Sequence, residues 1–244
     1  MSAAALAELI RASRPCVALT GAGVSTESGI PDFRSTTGIW ARYDPMEYAS
    51  IAAFRRDPEK VWDFYSRRLD VLADAQPNAA HVALAELERD GWVRAVVTQN
   101  IDRLHERAGS RDVVEVHGSI RTSSCLRDGT RVGFDEVVAC LPVPRCPACG
   151  AVLKPDVVMF GELLPEDALE RASELAREAR LLLVVGSSLE VWPVAGLPQE
   201  TLDAGGSLAI VNRDETRYDA EADVVIRDSA AAVLAAVARE LASR

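Results

Sequence analysis

The run Pro15-Cys16-Val17-Ala18-Leu19-Thr20 is apolar without alternation and stops at Gly21-Ala22-Gly23. A strand that is apolar on both faces has to be covered on both faces, which points to a parallel sheet layered between helices. Further runs of this kind lie at 93–98, 113–116, 181–186, 207–211 and 223–226. Helical patterns separate them. Asn78 caps a helix over Ala79–Arg89 that Gly91 closes, 165–179 sets Leu169, Ala172, Leu175 and Ala176 on one face, and Ala230–Ala242 forms a C-terminal helix. Strand–helix alternation predicts an α/β fold built on a Rossmann-like, doubly wound parallel sheet.

Two intervals exceed what a crossover needs. Roughly seventy residues separate Thr20 from Val93, where a crossover helix takes about a dozen. Asp57 as N-cap and Pro58 at the first helical position mark a helix inside this interval, over Pro58–Ala73. The second interval, 119–155, holds Cys125, Cys140, Cys146 and Cys149. The expected organisation is one nucleotide-binding domain from 1–34, 76–118 and 156–244, and one small helical and zinc-binding module from 35–75 and 119–155.

Composition narrows the partners. The net charge of −10 comes with no basic stripe, so no nucleic-acid partner is expected. An acidic surface suits a lysine-bearing protein segment, and it equally serves solubility alone. No uncharged apolar run approaches the ~18–20 residues of a membrane span. The segment Met1–Arg14 has no basic start and carries Glu8, unlike a signal peptide, so the expected location is the cytoplasm, away from membranes. Five cysteines without a secretory signal argue against a disulfide framework, and four of them within 125–149 suggest a metal. Nothing in the sequence sets the oligomeric state.

Glycines directly after a first strand let backbone N–H groups approach a phosphate at a helix start. The strict dinucleotide pattern has a third glycine where Thr26 stands, and no acidic residue closes a second strand about twenty residues on. On spacing alone, a plain tight turn accounts for the loop almost as well. The longer string is more specific. Gly21–Arg34, with Thr98-Gln99-Asn100-Ile101-Asp102, His117-Gly118, Phe160-Gly161-Glu162, Gly186-Ser187-Ser188 and Val211-Asn212, resembles the sirtuin family in order and over nearly the whole chain.

The resemblance implies a nucleotide-binding domain with a small zinc-and-helix module, and NAD as co-substrate in the cleft between them. It implies an NAD-dependent protein-lysine deacylase: the acyl-lysine carbonyl oxygen attacks the nicotinamide ribose, nicotinamide leaves, and lysine and O-acyl-ADP-ribose are the products. His117 matches the family's general base, a role that suits an imidazole near working pH. Asn100 and Asp102 match the residues that order the nucleophile pocket and the nicotinamide carboxamide, with Ile101 beside Asp102 and Gln99 toward the ribose. Asp102 also stands where it would cap a helix over 103–108. Gly21, Ala22, Gly23, Thr26 and Asp32 belong to the implied cofactor loop, Phe33 would shield the reacting ribose carbon, and Arg34 would sit near phosphate. Gly186, Ser187 and Ser188 match pyrophosphate and ribose contacts. Asn212 matches the adenosine ribose contact, and Asp214 is assigned beside it. His81 and His105 fall on helical patterns and are read as ordinary helix residues.

Cys146-Pro147-Ala148-Cys149-Gly150 is a CxxC knuckle followed by glycine, a strong zinc ligand pair. The family places a second CxxC earlier; here Cys125 is present and Asp128 stands in place of its partner. Three outcomes are open: zinc completed by the Asp128 carboxylate, zinc completed by Cys140, or no metal. The expected ligand set is Cys125, Asp128, Cys146 and Cys149.

Tyr65 and Arg68 lie at i and i+3 on the expected helix, so both point to one face. They resemble the Tyr-x-x-Arg pair of the desuccinylase and demalonylase branch of sirtuins, which reads the distal carboxylate of the acyl group. Thr26 departs from that branch, which tends to have alanine there, so acetyl and succinyl or malonyl activity are expected side by side. Val157, Val158, Phe160, Gly161 and Glu162 resemble the substrate-peptide segment, where an extended strand can pair with a peptide backbone. Trp192 and Pro193 would line the peptide cleft or pack beside it. Two other readings use the same cofactor: protein ADP-ribosyl transfer and a non-catalytic NAD-binding module.

Overall fold

A computed structural model describes residues 1–243. The helices in chain order are α1 (Ala3–Ala12), α2 (Pro45–Tyr48), α3 (Ile51–Arg56), α4 (Pro58–Asp74), α5 (Ala79–Arg89), α6 (Leu104–Ala108), α7 (Phe134–Ala139), α8 (Glu166–Glu178), α9 (Leu197–Asp203) and α10 (Ala230–Ala242). The strands are β1 (Cys16–Thr20), β2 (Val93–Thr98), β3 (Val113–Glu115), β4 (Gly118–Ser124), β5 (Arg131–Gly133), β6 (Lys154–Val157), β7 (Leu181–Val185), β8 (Ser207–Val211) and β9 (Val224–Ile226). A 3-10 helix, Ala22–Ser28, follows β1.

Six strands form one sheet in the order β3-β2-β1-β7-β8-β9, every pair parallel. Cys16 and Ala18 pack into one apolar layer with Leu6, Leu84 and Leu234 of α1, α5 and α10. Val17 and Leu19 pack into the other with Leu175 of α8 and Leu197 of α9. The unalternating run is therefore a period-two strand whose two faces are both buried. The chain winds outward from β1 to β2 and β3, then returns to β7 and winds the other way to β8 and β9. Winding thus reverses between β1 and β7, and a crevice opens where the carboxyl ends of these two neighbours diverge.

The two long intervals meet in one smaller core. Trp62, Phe64 and Leu69 of α4 share it with Ile120, Leu153 and Met159 from the cysteine-bearing part. The buried Trp62 Nε1–H donates to the Leu153 carbonyl oxygen at 2.6 Å, which ties the two insertions together. Strands β5-β4-β6 form an antiparallel sheet there. The expected borders at 118/119 and 155/156 fall inside this sheet, because β4 starts at Gly118 and β6 runs to Val157. Asp57 and Asn78 cap α4 and α5 through their side chains. Pro165 is an N-cap residue and not the first helical one, so α8 is slightly shorter than expected. Among the described residues no helix is long and apolar enough to cross a membrane.

Candidate active site at the strand-order reversal

Three glycines let two loops touch at the crevice. Gly23 N–H donates to the Gly186 carbonyl oxygen at 2.9 Å. A Cβ on Gly21 would stand 2.8 Å from the Gly186 oxygen, and one on Gly186 would stand 2.3 Å from Val24 N. Gly186 also has φ +61°, the left-handed region that disfavours side chains. The backbone here is bare and close, as a pyrophosphate requires. The loops border a cavity of about 360 Å³, within the range of small-molecule sites. The cofactor, catalytic and substrate residues assigned above line this one cavity, except Pro193, which lies outside its lining.

A buried hydrogen-bond network underlies its floor. Ser25 Oγ–H donates to Asp102 Oδ2 at 2.7 Å and accepts from Asn100 Nδ2 at 3.1 Å. Asn100 Nδ2 also donates to the Gly21 carbonyl at 3.2 Å. Asp102 Oδ1 accepts from Leu104 N, the first residue of α6, at 2.9 Å, although the N-cap residue is Arg103, and its other oxygen takes the Ser25 hydroxyl. Asn78 N–H donates to His81 Nδ1 at 3.2 Å, which leaves the proton of a neutral imidazole on Nε2, 3.4 Å from Ser25 Oγ. His105 meets His81 edge-on with ring centroids 4.9 Å apart, and its Nε2 contacts Thr20 Oγ1 at 2.9 Å. Burial pushes His81 down to about 4 and His105 down to about 3, so both are neutral near pH 7.

His81 and His105 lie on α5 and α6 as expected, and both are buried, His81 in contact with Ser25 and His105 with Thr20. Ser25 joins them from inside the glycine loop. The signal available was positional: His81 is the third residue after the Asn78 cap, where a side chain folds back onto the cap.

His117 closes β3 and faces the cavity. Its Nδ1 lies 3.1 Å from the Gln99 carbonyl oxygen, which can only accept, so Nδ1 carries the proton and Nε2 presents a lone pair. Burial lowers its pKa below 6.5; nearby Arg34 acts in the same direction and the Gln99 carbonyl opposes it. Gly118 follows with φ +71°, and a Cβ there would stand 2.3 Å from the Asp156 oxygen. Val158 N–H donates to the His117 carbonyl at 2.8 Å, which ties the segment after β6 to the histidine.

The remaining cofactor-side residues are held as follows. Asp32 Oδ1 accepts from Arg34 N and Ser35 N and shapes its own turn. Arg34 Nε pairs with Glu190 at 2.9 Å. Gln99 Nε2 donates to Ser187 Oγ at 2.9 Å, bridging the ends of β2 and β7. Asn212 Nδ2 donates to the Asp214 carbonyl, fixing the turn after β8. Thr26 Oγ1 donates to the Gly23 carbonyl at 3.0 Å.

On the opposite wall, Tyr65 and Arg68 of α4 both line the cavity. Tyr65 is buried, which raises its pKa to about 12 and leaves the phenol a neutral donor. The Arg68 guanidinium lies 4.9 Å from the Phe33 ring and 5.4 Å from the Phe64 ring. Burial lowers its pKa, and among the described residues the neighbouring Tyr65 opposes this. Phe160 N–H and C=O are both engaged, with Ala49 and Ile51, while Trp192 is exposed at the cavity rim.

Away from the cavity, Cys125, Asp128, Cys146 and Cys149 bring one donor atom each within 4.8 Å of all the others. Cys125 and Cys149 Sγ are 3.5 Å apart, and Cys146 Sγ is 3.4 Å from Asp128 Oδ2. A tetrahedral site with Zn–S of about 2.3 Å spaces its ligands roughly 3.5–3.8 Å apart, so the donors fit zinc. Thr130 N–H donates to Asp128 at 2.9 Å and holds that carboxyl well below the usual range, ionised as a ligand must be. Cys140 is exposed at the end of α7 and outside the cluster, which removes it as the fourth ligand.

The model of the Sir2 family matches residues 21–193. NAD-dependent protein deacetylase 1 of Pyrobaculum aerophilum is 48% identical over 94% of this chain and 91% of that protein. NAD-dependent protein deacylase 1 of Archaeoglobus fulgidus is 45% identical over 97% of this chain and 96% of that protein. A solved Sir2 structure with a deacetylated p53 peptide and 3'-O-acetyl ADP ribose superposes with a TM-score of 0.94, at 41% identity and 98% coverage of both chains.

Proposed function

The chain belongs to the Sir2 family and is an NAD-dependent protein deacylase; on that premise we propose that it removes succinyl and malonyl groups from lysine as well as acetyl. The observation that carries the finer reading is Arg68. Its guanidinium is half-buried in the acyl wall of the cavity, 4.9 Å from the Phe33 ring and 5.4 Å from the Phe64 ring, and burial lowers its pKa. A half-buried cation of this kind is stabilised by an anion that arrives with the substrate, and a guanidinium binds a carboxylate bidentately. The Tyr65 hydroxyl supplies a third donor.

When bound, NAD supplies a ribose carbon that loses nicotinamide and accepts the acyl oxygen. Gly21, Gly23 and Gly186 give its pyrophosphate a close backbone surface. Asn100 and Asp102, held by Ser25, present an amide and a carboxylate to the nicotinamide end. His117, neutral and with Nε2 free, accepts a proton from a ribose hydroxyl. Phe33 and Trp40 stack with centroids 5.2 Å apart and shield this region from water. The acyl-lysine enters between α4 and segment 157–162, whose backbone aligns the peptide. Cys125, Cys146, Cys149 and Asp128 would hold zinc away from the cavity, where it would stabilise the small module.

Acetyl-, malonyl- and succinyl-lysine forms of one peptide, assayed with NAD on wild type and Arg68→Met, test the proposal. Loss of demalonylation and desuccinylation with deacetylation retained is expected. Equal loss of all three activities would remove the carboxylate role from Arg68.

A further inference from the structure

Lys154 is one of only two lysines among 27 basic residues, and its side chain is 9% exposed. A buried ammonium needs its three donors satisfied. Lys154 Nζ reaches the Pro155 carbonyl at 3.0 Å, the Val157 carbonyl at 2.9 Å and Glu162 Oε2 at 2.9 Å. The same Glu162 oxygen accepts from Met159 N–H at 2.9 Å. One ion pair therefore spans the segment from its β6 end to the turn at 159–162. Between these anchors Val158 N–H is bonded to the His117 carbonyl. Glu162 thus lines the cavity while its carboxylate is bonded to Lys154 and the Met159 N–H.

We propose that Lys154 and Glu162 are positioning residues, a buried brace that holds segment 157–162 in register with His117 so that a bound acyl-peptide is aligned to the base. This rests on the reading that the segment pairs with the peptide. The cofactor side does not depend on the brace, because its loops are joined through Gly23 and Gly186 on the other side of the cavity. The brace therefore acts on peptide binding and leaves NAD binding alone.

Glu162→Gln keeps the size and an acceptor for Met159 N–H while removing the charge. It is expected to raise KM for the acyl-peptide about tenfold, the loss of one charge-assisted hydrogen bond, with KM for NAD unchanged. Lys154→Met should act in the same direction, and Lys154→Arg should recover part of the loss. A general fold defect would instead raise both KM values together and lower kcat. Amide hydrogen exchange on the intact protein separates the brace from the reading beneath it. Peptide binding should protect the amides of 158–162 in wild type, and less so in Glu162→Gln. No protection in wild type would contradict the peptide reading itself. Protection that persists undiminished in Glu162→Gln, with an unchanged peptide KM, would contradict the brace alone.

Discussion

His117 Nδ1 stands 3.1 Å from the Gln99 carbonyl oxygen, so one peptide group sets the tautomer of the imidazole that faces the cavity. Because β2 ends just before Gln99 and β3 just before Val116, neighbouring strands fix base and acceptor in place. Burial lowers the His117 pKa, so the neutral base is populated at pH 7 and is lost only as pH falls through a value below 6.5. The acid limb of log kcat/KM against pH is expected there. His117→Ala should remove that limb and reduce deacylation by about 10²–10⁴, as steady-state rates across pH would show.

The metal cluster is expected to bind one zinc per chain. Asp128→Ala and Cys146→Ser should lose metal and lower the melting temperature, whereas Cys140→Ser should keep full occupancy, since Cys140 lies outside the cluster. Metal analysis of the three variants after dialysis checks this.

Gly186→Ala should damage two things at once. Its φ is +61° and its new Cβ would meet Val24 N at 2.3 Å. Strain of this sort costs about 1–3 kcal/mol, and the loops it would push apart are those that meet at the crevice. Thermal unfolding should show the loss, and titration with ADP-ribose should show binding weakened well beyond what the lower stability explains.

His81 and His105 set an acid limit on stability. Their folded pKa values, about 4 and about 3, lie below the ordinary 6.5, so the unfolded chain binds more protons in acid. Stability is full above pH 6.5 and falls as pH drops toward 4, by up to about 1.4 kcal/mol per pH unit for each histidine. Denaturant unfolding from pH 7 to pH 5 should record the decline. His105→Gln should flatten it.

Much of the scaffold was legible because continuous apolar runs leave a chain few options. Cys16–Thr20 must be covered on both faces, and α1, α5, α10, α8 and α9 cover it. Capping chemistry located α4 and α5, since Asp57 and Asn78 act within their own turns. The site was legible where residues cluster along the chain, as at 98–102. It was obscure where partners are distant. Ser25, His81 and Asp102 meet only after folding. The pairing of Glu162 with Lys154 depends on the turn at 159–162, which local pattern does not reveal.

Identifying the products formed from NAD and an acyl-lysine peptide separates deacylation from ADP-ribosyl transfer. Free lysine peptide, nicotinamide and an O-acyl-ADP-ribose are expected in equal amounts, with acetyl, malonyl and succinyl peptides all turned over. ADP-ribose left attached to the peptide, or no turnover of any of the three, would contradict deacylation.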